Sequence, residues 1–214
     1  LDTPPKDCAL CPRLAGYRAE CREKHPDWFN GAVPAFGGLD ARLLVVGLAP
    51  GVSGANRTGR PFTGDWAGDL LYATLERFGF SNGSYGKHPG DGLELVGARI
   101  TNAVRCVPPQ NKPVGAEIAN CRPFLLSEIS ALERLRVILC LGKISHDSTV
   151  RALGLRMAAH PFRHGGEHQI EVSGRNITLL SSYHCSRYNT NTRRLTPEMF
   201  AEVFARAREL ASAP

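Results

Sequence analysis

Apolar and polar positions along the chain follow two periods. The run Leu43-Leu44-Val45-Val46-Gly47-Leu48 is continuously apolar, breaks at Ala49-Pro50-Gly51, and predicts a buried strand. A Gly-rich loop follows through Gly64. Asp65 then stands where it would cap a helix whose apolar positions Leu70, Leu71, Leu75 and Phe78 keep a helical spacing. Ser81 to Gly92, rich in Gly, Ser and Asn, reads as a surface loop. Arg99 to Val104 predicts a second strand, stopped by Pro108-Pro109. A helix from about Gly115 to Leu135 places Ile118, Cys121, Leu125, Ile129 and Leu132 on one stripe. Val137 to Leu141, ended by Gly142, is a third strand. Ile177 to Ser181, ended by Ser182-Tyr183-His184, is a fourth. After Pro197, residues Phe200, Val203, Phe204, Ala207 and Leu210 mark a last amphipathic helix.

Strand and helix in alternation predict a three-layer α/β/α sandwich around a mostly parallel four-stranded sheet. Ligands gather beyond the carboxyl ends of strands in such folds. The loops after Leu48, Val104, Leu141 and Ser181 all leave that edge, and they carry the unusual polar residues. With 214 residues, 43% hydrophobic and 21% charged, the chain is expected to form one domain of an ordinary globular protein. No apolar run approaches the ~20 residues of a membrane helix, and no signal-peptide pattern is visible. We therefore expect a monomer of the prokaryotic cytosol or nucleoid with no membrane partner. The net charge of +6 suits a polyanion-facing surface without requiring one.

Seven cysteines in an enzyme-sized α/β chain argue against a secreted disulfide framework and for reduced thiols, some of them ligands. Cys8 and Cys11 form C-x-x-C. Cys106 follows the second strand, and Cys121 lies near the start of a helix. Four thiolates accept zinc or an iron–sulfur cluster. Zinc more often uses two tight knuckles, and Cys106 with Cys121 is not one. That weighs toward a [4Fe–4S] cluster over zinc or no metal. Cys140 inside a strand, and Cys21 and Cys185, read as small core residues.

The loop from Gly47 to Asp65 lets backbone N–H groups approach a ligand, but it lacks both the Lys-Ser/Thr of a nucleotide P-loop and the G-x-G-x-x-G spacing. The pieces become specific in combination. Gly47-Leu48-Ala49-Pro50, Ala55 to Arg60, Phe62-Thr63-Gly64-Asp65, Thr101 to Pro109 and Tyr183-His184-Cys185-Ser186 resemble the family 5 (UDGb type) uracil-DNA glycosylases. The four cysteines fall where that family and family 4 hold a [4Fe–4S] cluster, which here would tie in the segment of about 1–35. The resemblance implies the uracil-DNA glycosylase fold and a monofunctional enzyme of base excision repair. Its substrate would be DNA containing uracil, with hypoxanthine, xanthine or etheno-cytosine also accepted.

Carried over by position, the resemblance makes Asp65 and His184 catalytic. Gly47, Ala49, Pro50, Gly51, Phe62 and Asn102 join His184 around the base. Phe62 would stack on it and Asn102 would read its edge. Ala49 offers no water-activating carboxylate, a departure that UDGb-type enzymes share. Cys185 stands where a proline often follows the motif histidine. Arg57, Arg60, Arg187, Asn189 and Arg193 are expected to approach DNA, with Arg105 and Arg194 as further phosphate candidates.

Each assignment has a plainer rival. His184 would be a solvated strand-end residue, Asp65 an N-cap, Asn102 a partner for strand-end backbone, and Phe62 core. At the level of function the rival is a non-catalytic iron–sulfur DNA-binding or sensor protein. A metal-dependent nuclease would need clustered carboxylates, and Asp65 with Asp69 is not such a cluster.

Overall fold

The computed structural model describes residues 1–212. In chain order the elements are α1 (Pro12–Lys24), β1 (Leu43–Gly47), α2 (Ala55–Thr58), α3 (Trp66–Arg77), β2 (Ser81–Asn82), β3 (Glu94–Leu95) and β4 (Ala98–Asn102). They continue with α4 (Gly115–Ala131), β5 (Val137–Leu141), α5 (Lys143–Ala152), β6 (Glu167–Val172), β7 (Arg175–Ser182), α6 (Arg187–Asn191) and α7 (Pro197–Ser212). The main sheet has the order β4-β1-β5-β7-β6. Its first four strands run parallel, and β6 pairs antiparallel with β7. Every residue of β1, β4 and β5 is buried, as strands covered on both faces must be.

Side chains alternate across the sheet and meet a helical layer on each side. Leu43, Val45, Leu139 and Leu180 pack with Leu71 and Leu75 of α3 and with Phe200 and Phe204 of α7. Leu44, Val46, Ile138 and Leu179 pack with Leu125 and Ile129 of α4 and Val150 of α5. The expected three-layer sandwich is present, but its sheet has five strands where four were expected. The added strand, β6, reads Glu-His-Gln-Ile-Glu-Val, with only Ile170 and Val172 buried. It turns into β7 through Ser173 (φ 51°) and Gly174 (φ 74°), the two left-handed residues of a tight hairpin. Among the described residues no helix is long and apolar enough to cross a membrane.

α1 was not visible in the hydrophobic pattern. Its buried face is Leu14, Arg18 and Cys21, a mixed stripe rather than an apolar one.

Candidate active site

Three of the four expected loops, those after β1, β4 and β7, converge at the carboxyl edge of the sheet around one cavity of about 550 Å³, which the loop after β5 does not line. Residues 48–55 after β1 form one wall, and Phe62, Asp65, Asn102, Asn111, His184 and Ser186 close the rest. Register explains the convergence. Gly47 ends β1 directly beside Asn102 at the end of β4, so the two loops leave the sheet side by side. A Cβ on Gly47 would lie 2.7 Å from the Phe62 ring and would collide with the side-chain amide oxygen of Asn102. Only glycine lets Asn102 and Phe62 close on the strand end.

Asn102 and Phe62 are buried, at 3% and 6% exposure. Neither Asn102 nor His184 has a side-chain hydrogen bond to protein among the described residues, so the amide and the imidazole face the cavity unpaired. The Phe62 and His184 rings lie 5.9 Å apart at 26°. Burial pushes the His184 pKa down to about 4, which leaves a neutral ring with one N–H donor at ordinary pH. Its backbone carbonyl is fixed by the Asn189 side-chain amide, which donates to it at 2.8 Å.

Asp65 caps a helix and also lines the cavity. One carboxylate oxygen accepts from the Gly68 N–H at 3.0 Å, which makes Asp65 the N-cap of α3. The other faces Gly51 and Gly54 at the cavity wall: a Cβ on Gly51 would lie 3.3 Å from it, and one on Gly54 2.5 Å. Burial raises the Asp65 pKa above the usual carboxylate value, opposed by backbone N–H bonds from Gly68 and Ala67. Ala49, Pro50 and Gly51 line the same wall.

Phe62 holds a left-handed backbone (φ 54°), unusual for a bulky residue. The Tyr85 hydroxyl donates to its carbonyl at 3.2 Å and accepts from the Gly64 N–H at 3.0 Å. The Tyr72 hydroxyl donates to the Pro61 carbonyl at 2.6 Å.

The basic residues separate into two groups. Arg60 does not face DNA, contrary to the sequence expectation. It is 5% exposed and bonds both oxygens of Asp91 at 2.7 Å, with Phe36, Tyr72 and Tyr85 around its guanidinium. Three of its five N–H groups are bonded within the protein, and so enclosed a guanidinium is closed off from a phosphate. Arg105 is corrected in the same way. It is buried and paired with Glu128, which also accepts from Arg99 and Thr101. Arg57, Arg187 and Arg193 are exposed. Arg187 lies 5.4 Å over the half-exposed Trp66 ring, and Arg194 4.7 Å over Tyr183. Asn189 acts on the His184 backbone, as described above.

Cys8, Cys11, Cys106 and Cys121 are buried together with Leu14, Ala32 and Val104. Arg18 of α1 donates to the Cys106 sulfur at 3.1 Å, and the Asn120 amide donates to the Cys11 sulfur at 3.5 Å. No three His, Cys, Asp or Glu side chains among the described residues are arranged to hold a metal ion as they stand. All seven cysteines are free thiols, and Cys21, Cys140 and Cys185 lie buried outside this cluster.

Sequence reasoning missed Asn111, which lines the cavity from the loop after β4. The Pro-Pro pair before it marked only the end of a strand.

Comparison with known proteins agrees with this arrangement. The family model described as the uracil DNA glycosylase superfamily matches residues 34–208. A type-5 uracil-DNA glycosylase of Thermus thermophilus is 47% identical over 210 residues, 95% of this chain and 94% of that protein. A type-5 uracil-DNA glycosylase of Pyrobaculum aerophilum is 40% identical over 205 residues, 94% of this chain and 88% of its own. A type-4 uracil-DNA glycosylase of the same organism is 33% identical over 180 residues, 84% of this chain and 78% of that protein. With its sheet-edge cavity in place and relatives matched over almost its full length, the chain belongs to the uracil-DNA glycosylase superfamily and, within it, to the type-5 group.

Proposed function

We propose that this protein extrudes uracil, and other deaminated bases such as hypoxanthine and xanthine, from DNA and hydrolyses the N-glycosidic bond, leaving an abasic site for base excision repair. The observation that carries this reading is the meeting of Phe62, Asn102, His184 and Asp65 around one cavity, with the Asn102 and His184 side chains left unpaired.

A base in a duplex is out of reach and must be flipped, at a cost of a few kcal/mol. Phe62 then supplies a stacking face worth about 1–3 kcal/mol, and Asn102 bonds the base edge. When the bond from C1′ to the base nitrogen breaks, its electron pair leaves with the base and the sugar becomes cationic. His184, neutral because burial holds its pKa near 4, donates its N–H to the base oxygen on which the charge collects. The cavity-facing oxygen of Asp65 stabilises the cationic sugar or orients water, whose hydroxyl adds to C1′ while its proton passes through solvent to the departed base anion. The cavity is large for a pyrimidine, and Ala49 adds no side chain that would exclude a purine.

The four clustered cysteines fit a [4Fe–4S] cluster. They are four soft donors in a dry site, one of them accepting from the Arg18 guanidinium. Cys8, Cys11, Cys106 and Cys121 would hold it, and it would cross-link the N-terminal segment to the loop after β4. Stoichiometric iron and broad absorbance at about 400 nm in the purified protein are the expected outcome. Zinc without iron refutes it.

A duplex oligonucleotide carrying one uracil, incubated with the protein and then alkali, tests the activity. Strand breakage that weakens steeply with salt is expected. An intact strand would favour the non-catalytic DNA-binding reading, which leaves His184 and Asn102 without a role.

A further inference from the structure

The loop after β4 reaches the cavity through Asn111, and it does so under strain. Gln110 and Asn111 are both left-handed, with φ 56° and 57°. Two consecutive non-glycine residues in that region are costly unless their surroundings impose it. Here they do. The Asn111 and Lys112 N–H groups donate back to the Pro108 and Pro109 carbonyls. The Lys112 carbonyl accepts from Arg13 of α1 at 3.1 Å. Arg13 in turn grips both oxygens of Glu117 at 2.7 and 2.8 Å, and Glu117 accepts from the Val114 N–H at the start of α4. The N-terminal helix, the loop and α4 are thus tied together through Lys112, the residue after Asn111, and Glu117.

What this clamp presents to the cavity is the Asn111 amide. The Asn111 side chain is exposed, lines the cavity, and makes no hydrogen bond to protein among the described residues. Phe62 and Asn102 are buried in the cavity walls, so the exposed Asn111 stands at the mouth. A nucleotide entering base-first leaves its sugar and phosphates at that mouth. An amide nitrogen with two N–H donors suits their oxygens.

We propose that Asn111 is a substrate-contacting residue that binds the sugar–phosphate backbone of the extruded nucleotide through its side-chain amide. The inference rests on the glycosylase reading and adds a contact that is blind to the identity of the base.

Glycine accepts the left-handed backbone without the amide, so Asn111→Gly removes the contact while sparing the loop. Asn111→Asp keeps the shape and tolerates the same backbone, but puts a negative charge against the phosphate. Two readouts are needed: affinity for a duplex carrying a tetrahydrofuran abasic analogue, and single-turnover excision from a uracil duplex. N111G should bind the abasic duplex about tenfold more weakly and lose uracil excision at sub-saturating enzyme by the same factor. N111D should be weaker still, and Gln110→Gly should match wild type. Wild-type affinity of N111G for the abasic duplex overturns the proposal. So does a loss confined to uracil excision, which would place the amide on the base. Failure of the wild-type protein to excise uracil would instead overturn the underlying reading.

Discussion

His184 makes folding stability depend on pH in a direction that can be worked out. Its ordinary pKa is 6.5, and burial lowers it to about 4 in the folded protein. Between these values the unfolded chain binds a proton at His184 that the folded chain refuses, so stability falls as pH drops through this window. The contribution is fully retained above about pH 6.5 and flattens again below about pH 4. From pH 7 to pH 5 the linkage amounts to about 2 kcal/mol, an upper value because the ring is partly open to the cavity. His146 and His164 are also held low by burial and act in the same direction. The wild type therefore has to be compared with His184→Gln, in which their effects cancel. Urea unfolding of both proteins at pH 7 and pH 5 measures the difference. We expect the wild type to lose more than H184Q on acidification, by up to about 2 kcal/mol. Equal losses would show that the imidazole takes up protons freely in the folded state, and a neutral donor at the base would then have no basis.

Three further substitutions probe the remaining walls of the site. Asp65→Asn should leave stability within about 0.5 kcal/mol, because Asn caps helices as well as Asp, while single-turnover excision falls at least about tenfold. An unchanged rate would reduce Asp65 to a cap. Gly47→Ala pushes a methyl group at the Phe62 ring and the Asn102 side-chain amide oxygen, at a cost of about 1–3 kcal/mol, and excision should fall with it. Thermal melts and wild-type turnover would together refute the crowding argument. Asp91→Ala leaves Arg60 buried without its partner and should cost about 3–5 kcal/mol in urea unfolding. A loss below about 1 kcal/mol would mean that the pair is solvated.

The sequence showed the central strands plainly, because β1 and β5 are apolar at nearly every position and buried on both faces. β6 escaped notice because Glu167, Gln169 and Glu171 face out from an edge, leaving only Ile170 and Val172 as apolar positions. α1 escaped because Arg18 belongs to its buried face, turned to the Cys106 sulfur rather than to an apolar partner. Motif order located Phe62, Asp65, Asn102 and His184, since each sits at the end of a strand or in the loop that follows. Charge could not be sorted in the same way. Arg57 and Arg60 stand three residues apart in one loop, yet one is exposed and the other sealed against Asp91. That partner comes from a stretch whose Gly and Ser content marks it as surface loop. Asn111 looked like a turn residue because a left-handed asparagine has the same sequence signature whether or not a cavity lies beside it.

The sealed arginine explains how Phe62 can hold its backbone conformation. A bulky residue in the left-handed region costs about 1–3 kcal/mol and relaxes unless something prevents it. Arg60 anchors the loop through its double bond to Asp91 and donates to the Thr63 hydroxyl at 2.8 Å, on the far side of Phe62. Asp91 is fixed by the Gly86 and Leu93 N–H groups, and the same loop brings Tyr85 to the Phe62 carbonyl and the Gly64 N–H. Gly68 lacks the side chain that would collide with that carbonyl, so α3 can start directly beneath it with Asp65 as its cap. At about 1 kcal/mol for each buried hydrogen bond, this brace is large enough to offset the strain. It fixes Phe62 and Asp65 as one unit, so the ring and the carboxylate are held in one arrangement at the cavity wall.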